Sequence, residues 1–217
     1  SDVQPAGTIP TVLPLYKFQQ FGAAFLKQRA MEAGFAFLCD ATGIGKSPTA
    51  LGARLLLMQE LGVDELPTLI VSPVPVRRQW VVDAIPKFLG EQDVVEVRGD
   101  ACSRQELYES DEIVVTNYEA LLRDAPFVRR RFGLVIFDEC QRLKNRQGKT
   151  YKATADLLKR TPGVMKFFLT ATPIMNDLEE LYALFGLASP GFLGKVSEFR
   201  KRYIRMDYSP GYPRLVG

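Results

Sequence analysis

Gly43-Ile44-Gly45-Lys46-Ser47 sets two glycines, a lysine and a hydroxyl in an order suited to holding phosphate. Asp40-Ala41-Thr42 leads into it. An apolar run, Phe35-Ala36-Phe37-Leu38-Cys39, precedes it, and a helical pattern from Thr49 to Leu57 follows. In a strand–loop–helix of this kind the backbone N–H groups of the loop turn inward as an anion nest, backed by the helix dipole. Thr42, Gly43, Ile44 and Gly45 would line the nest. Lys46 adds a charge for the phosphates, and Ser47 offers its hydroxyl to Mg²⁺. Asp40 stands where the first small residue of such loops is usual.

Two further groups complete this chemistry. Asp138 and Glu139 close the apolar run Leu134-Val135-Ile136-Phe137. A carboxylate at such a tip orients Mg²⁺ together with Ser47. Adjacent residues of an extended chain point opposite ways, so Asp138 is expected to face the metal. Glu139 is then expected to face the attacking water and accept its proton. Leu169-Thr170-Ala171-Thr172-Pro173 ends another run with two hydroxyls on one face. Thr170 and Thr172 there are placed to sense a γ-phosphate and to relay it through Gln141.

Composition removes several alternatives. The 217 residues include no histidine, so Ser-His-Asp triads, Cys-His pairs and Cys₂His₂ zinc sites are impossible. Cys39, Cys102 and Cys140 lack metal or disulfide spacing; Cys39 and Cys140 read as buried small hydrophobes in a reducing cytoplasm. A net charge of +3, from 28 basic and 25 acidic side chains, neither requires nor opposes nucleic-acid binding. No apolar stretch reaches membrane length, and no secretory signal peptide is expected. A monomer in the cytoplasm, or in a eukaryotic nucleus, is expected.

The elements that must position these groups alternate. Strands are predicted at 68–71, 94–97, 113–115, 134–137 and 165–169. Helices are predicted at 15–31, 76–89, 151–160, 178–187 and 196–204. Residues 1–14 read as an irregular lead-in and 208–213 as loop. Such alternation predicts an α/β fold with a mainly parallel sheet covered on both faces, its ligands at the carboxyl ends of the strands. Trp80 falls on the apolar side of 76–89 and reads as core packing. Arg77 and Arg78 suit a solvated helix face and a nucleic-acid contact equally, and Arg129-Arg130-Arg131 favours a surface role.

Taken together, these segments resemble the first RecA-like domain of superfamily-two helicases, most closely the Swi/Snf-type DNA translocases. The similarity runs from Leu15 to Ile204. It rests on Leu15-Tyr16-Lys17-Phe18-Gln19-Gln20-Phe21-Gly22, the Asp40–Ser47 loop, Leu69–Pro73 with Gln79-Trp80, and Val115-Thr116-Asn117-Tyr118-Glu119. Asp138 to Asn145, Leu169 to Asn176, and Glu180-Leu181 with Leu184-Phe185 complete it. The resemblance implies a RecA-like P-loop three-layer sandwich that hydrolyses ATP with Mg²⁺ and moves along DNA, with Lys46, Asp138 and Glu139 catalytic. It implies that Gln19 reads adenine. It also implies contacts to DNA phosphates, of duplex form, from Pro73, Thr116, Asn117, Lys144 and Asn145, with Arg77 an addition.

Four departures keep every required ligand: Gln141 for a histidine, Cys140 for an alanine, Ala171 for a glycine, and Pro48 in the first helical turn. The domain reading is a RecA-like domain over 15–190, followed by a helical extension and loop over 191–217. That extension leads toward a second RecA-like domain, whose arginine fingers and share of the DNA track the pattern after Leu187 does not supply. Alone, the chain is expected to bind nucleotide weakly and turn it over poorly. Alternatives are an RNA helicase lobe, opposed by Asp40 and by Arg142-Leu143-Lys144-Asn145, and a non-motor ATP- or DNA-binding module. A small-molecule P-loop kinase leaves 169–176 unexplained.

Overall fold

The computed structural model describes residues 9–110, 112–174, 178–207 and 214–216. Six strands, β1 (Phe35–Leu38), β2 (Thr68–Ser72), β3 (Val94–Glu96), β4 (Ile113–Asn117), β5 (Leu134–Asp138) and β6 (Met165–Leu169), form one parallel sheet. Their order across it is β1-β6-β5-β2-β4-β3. Every residue of β2, β4 and β5 is buried, and their apolar stretches (Leu69–Val71, Ile113–Val115 and Leu134–Phe137) suit a sheet covered on both faces.

On one face lie α1 (Lys17–Ala33), α2 (Lys46–Leu61), and α3 (Val74–Gln79) continuing through a π-helical turn (Trp80–Ala84) into α4 (Ile85–Leu89). Their core joins Leu26, Leu51, Leu57 and Trp80 to Ile70 and Ile136 of the sheet. The other face carries α5 (Ala101–Ser110), α6 (Tyr118–Asp124), α7 (Lys149–Arg160) and α8 (Leu178–Ala188). There Tyr108, Leu121 and Leu184 pack on Leu69, Phe137 and Phe168. α9 (Val196–Tyr203) follows, then an antiparallel pair, β7 (Arg205–Asp207) and β8 (Arg214–Val216). This is the three-layer α/β sandwich expected. Among the described residues no helix is long and apolar enough to cross a membrane.

Close approach of α1 and α2 depends on glycine from each. A Cβ on Gly22 of α1 would lie 2.8 Å from Thr49 Cγ2 of α2, and one on Gly52 of α2 would lie 2.6 Å from Cδ1 of Leu15, just before α1, and 3.5 Å from Ala23 Cβ within it. The helix behind the phosphate loop is thereby seated on the helix that carries Gln19.

The structure departs from the sequence expectations at several points. The segment 76–89 is not one helix. Pro86 has no N–H to give the carbonyl of Val82, and just before it the Ile85 N–H bonds to Trp80 O, five residues back. α5 and α6 went unpredicted. α5 buries only Tyr108, which leaves no apolar period to detect, while α6 starts on Asn117, whose Oδ1 accepts the Ala120 N–H at 2.8 Å. The β7–β8 pair also went unpredicted. Cys140 is buried as expected, but Cys39 is exposed because β1 ends at Leu38. Of the irregular lead-in, residues 1–8 lie outside the described residues, as does the 208–213 loop; Ile9 is buried in the core.

Candidate nucleotide-binding site

All parallel strands end on one edge of the sheet. That edge gathers the 39–45 loop, Pro73, Asn117, Asp138 and Thr170. Gly43 (φ 81°) and Gly45 (φ 94°) turn the loop through left-handed backbone, and Gly45 caps the N-terminus of α2. Gln19, buried at the start of α1, stitches the loop down. Its Nε2 donates to Ile44 O at 3.0 Å, and its Oε1 accepts the Tyr16 N–H at 3.0 Å. Lys46 is buried, its Nζ turned back onto the carbonyls of Asp40 (3.0 Å) and Ala41 (3.2 Å). Ser47 sits half-buried beside it. Pro48 follows in the first turn of α2, where no intrahelical partner is lost.

Opposite stands the tip of β5. Asp138, paired with Leu169 of β6 and 5% exposed, accepts the Trp80 indole N–H on Oδ2 at 2.8 Å. Its backbone carbonyl accepts the Tyr118 hydroxyl at 2.7 Å. Burial pushes the Asp138 carboxyl above the usual carboxylate range, opposed by the Trp80 hydrogen bond and by the charge of Lys46.

Glu139 corrects the expectation of two carboxylates alternating along an extended strand. The strand ends at Asp138, and Glu139 takes left-handed backbone (φ 52°), the one such non-glycine among the described residues. The two carboxylates are separated by this turn and not by the pleat. Glu139 Oε2 accepts from Gln141 Nε2 at 2.7 Å, and Gln141 Oε1 accepts from Thr170 Oγ1 at 2.7 Å. Thr170 Oγ1 in turn accepts the Thr172 N–H at 3.0 Å. Asn176, at the end of the same motif, lies outside the described residues.

A cleft of about 460 Å³ brings Thr42, Gly43, Gly45, Lys46 and Ser47 together with Asp138 and Glu139. Ile44 stands apart. It faces an apolar depression shared with Phe18, Phe21 and Phe25.

The residues expected at nucleic acid are less uniform. Asn145 is exposed, and Lys144, partly exposed, pairs with Glu180 at 2.7 Å. Asn117 is buried as the cap of α6. Thr116 is fully buried with its hydroxyl 2.9 Å from Tyr108 Oη, and the Pro73 ring is buried as well. Neither side chain reaches the surface. Arg77 is tied to β3, pairing with Glu96 at 2.8 Å and bonding to Val97 O at 2.9 Å, whereas Arg78 is exposed. Arg129 and Arg130 lie at the surface, their backbone N–H groups held by Glu109.

Sequence reasoning missed the polar end of Trp80 and the hydroxyl of Tyr118. The signal was available: a tryptophan or tyrosine assigned to a core must still find a partner for its N–H or O–H.

A parallel sheet whose tips carry a glycine loop with lysine on one side and an acidic pair on the other defines a RecA-like P-loop domain. The description of the SNF2-related domain matches residues 18–209, and the chain belongs to that family. It is 32% identical over 176 residues to the DNA repair and recombination protein RAD54B of Gallus gallus, covering 77% of this chain and 19% of that protein. To an uncharacterized ATP-dependent helicase of Mycoplasma genitalium it is 27% identical over 205 residues, with 93% and 19% covered. The SWI2/SNF2 ATPase core of Sulfolobus solfataricus, solved in complex with dsDNA, superposes with a TM-score of 0.79 at 25% identity. That match covers 92% of this chain and 41% of the other. The chain thus spans 19% of the length of either of those relatives.

Proposed function

We propose that this chain is the nucleotide-binding lobe of a DNA-dependent ATPase that tracks along duplex DNA, completed by a second RecA-like domain in the same protein or in a partner. The observation that carries the reading is the shared cleft. The phosphate loop and the Asp138–Glu139 tip face each other across it, and Gln141 links the tip to Thr170.

The loop N–H groups and the α2 terminus bind the phosphates of ATP, and the Lys46 ammonium leaves the Asp40 and Ala41 carbonyls for them. Gln141 holds Glu139 by one oxygen, leaving its carboxylate to take the proton of the attacking water. Ser47 and Asp138 fit Mg²⁺: a hydroxyl and one buried, oriented carboxylate suit an ion that keeps waters and substrate oxygens in its shell. Among the described residues no cluster of three acidic or cysteine ligands offers another metal site. Mg²⁺ would neutralise charge developing on the phosphates.

The second domain would contribute arginine, worth about 10³–10⁵ in turnover in related chemistry. Support for DNA comes from RAD54B, named for DNA repair, and from the Sulfolobus core solved with dsDNA. Of the side chains expected at nucleic acid, Asn145 and Arg78 are exposed and Lys144 partly so, and these are the ones we assign to its phosphates. Such work belongs in the cytoplasm, or in the nucleus of a eukaryote.

The test is ATP turnover by this chain, and by a longer protein carrying both domains, with duplex DNA, single strands and RNA. Duplex-stimulated turnover by the longer protein, and little by this chain, is expected. Stimulation by RNA alone would replace the reading with an RNA helicase lobe.

A further inference from the structure

Trp80 is the sole tryptophan of the chain and is 1% exposed, its ring in the core with Ile70 and Ile136. Core packing accounts for the ring. It does not account for the partner of the indole N–H, which is a carboxylate oxygen of Asp138 at 2.8 Å. A buried carboxylate is costly to keep in an apolar surround, and a tryptophan can satisfy its N–H on a neutral carbonyl instead. The backbone around Trp80 is also irregular. Its carbonyl accepts from Ile85, five residues on, and such single π-turns within helices concentrate at functional sites.

A second aromatic reaches the same residue from another element. Tyr118, fully buried at the start of α6, donates its hydroxyl to the Asp138 carbonyl at 2.7 Å. One bond fixes the orientation of the carboxylate, and the other fixes the backbone that carries it. Both braces come from segments following strands of the site edge, Trp80 after β2 and Tyr118 after β4.

We propose that Trp80 is a positioning residue for the metal-binding carboxylate, with Tyr118 as its backbone brace, so that both set how firmly Mg²⁺ is held. The proposal rests on the assignment of Asp138 to Mg²⁺. Outer partners of metal ligands commonly change metal affinity or activity by about 10–100-fold when removed.

The test is binding of a fluorescent ADP analogue to this chain, measured in EDTA and across a Mg²⁺ titration. Native protein is compared with Trp80→Phe, Tyr118→Phe and Asp138→Asn. Trp80→Phe is expected to keep its metal-free affinity and to need about 10–100-fold more Mg²⁺ for the metal-dependent gain. Tyr118→Phe should shift the same way. Native affinity in EDTA with native Mg²⁺ dependence in Trp80→Phe would overturn the positioning role while leaving the metal assignment intact. No metal-dependent gain in native protein, or an unchanged gain in Asp138→Asn, would remove the metal assignment and the positioning role with it. If Trp80→Phe does not fold, native indole emission decides, because its one source touches Asp138. Adding Mg²⁺ to the ADP-bound chain should change that emission, and no change would overturn the proposal.

Discussion

The Gln141 side-chain amide donates to Glu139 Oε2 at 2.7 Å while its own oxygen accepts from Thr170 at 2.7 Å. A single neutral side chain therefore ties Glu139, the residue proposed as base, to the strand tip of β6. Gln141 has no charge to gain near neutral pH, so the link holds across the physiological range. In a protein carrying both domains, Glu139→Gln should retain ATP affinity and lose about 10²–10⁴ in turnover. Gln141→Ala should retain affinity and lose less, because it frees Glu139 without removing it. Steady-state ATPase with parallel nucleotide titrations checks both. Near-native turnover in Glu139→Gln would point to another base.

The two loop glycines should differ in tolerance. Both have left-handed backbone, so alanine at either position costs about 1–3 kcal/mol of strain. Around Gly43 a Cβ meets nothing within 4 Å, whereas at Gly45 it would lie 2.4 Å from Gln19 Nε2. Gly45→Ala must also displace the Gln19 amide from Ile44. Thermal melting and nucleotide affinity should therefore fall further in Gly45→Ala than in Gly43→Ala. Equal losses would contradict the role given to Gln19 as the stitch of the loop.

How much of this was legible beforehand follows from the kind of signal each residue leaves. The strands at 35–38, 68–72, 134–138 and 165–169 are built on apolar runs (Phe35–Leu38, Leu69–Val71, Leu134–Phe137 and Phe167–Leu169), and the loop between Asp40 and Ser47 carries its chemistry in its residue types. These were readable. α5 was not, because Tyr108 is its only buried side chain. The left-handed turn at Glu139 was not either, since glutamate is no marker of such backbone, and the Glu139 side chain is tied through Gln141 to Thr170, which is distant in sequence. The inward aim of Thr116 depends on Tyr108 from another element, a contact that no local pattern encodes.

Asp138 should cost the apo fold stability. Burial raises its carboxyl above the ordinary range, so the folded chain resists ionising it. A raised carboxyl favours folding below its unfolded value and loses that advantage as pH rises through the folded one. Asp138→Asn, without metal or nucleotide, should melt higher at neutral pH, by about 2–4 °C for each kcal/mol recovered. In acid, where Asp138 is protonated, the difference should vanish. A lower melting temperature at neutral pH would show that the charge is stabilised in place.

The central claim is that the cleft between the Asp40–Ser47 loop and Asp138–Glu139 holds nucleotide phosphates, and Lys46 tests it most directly. Titration of a fluorescent ADP analogue with Mg²⁺ into native chain and into Lys46→Ala should show affinity falling about 10–100-fold on loss of the charged donor. Melting curves serve to verify that the variant is folded. Equal affinity in a folded Lys46→Ala variant would contradict the assignment of the site.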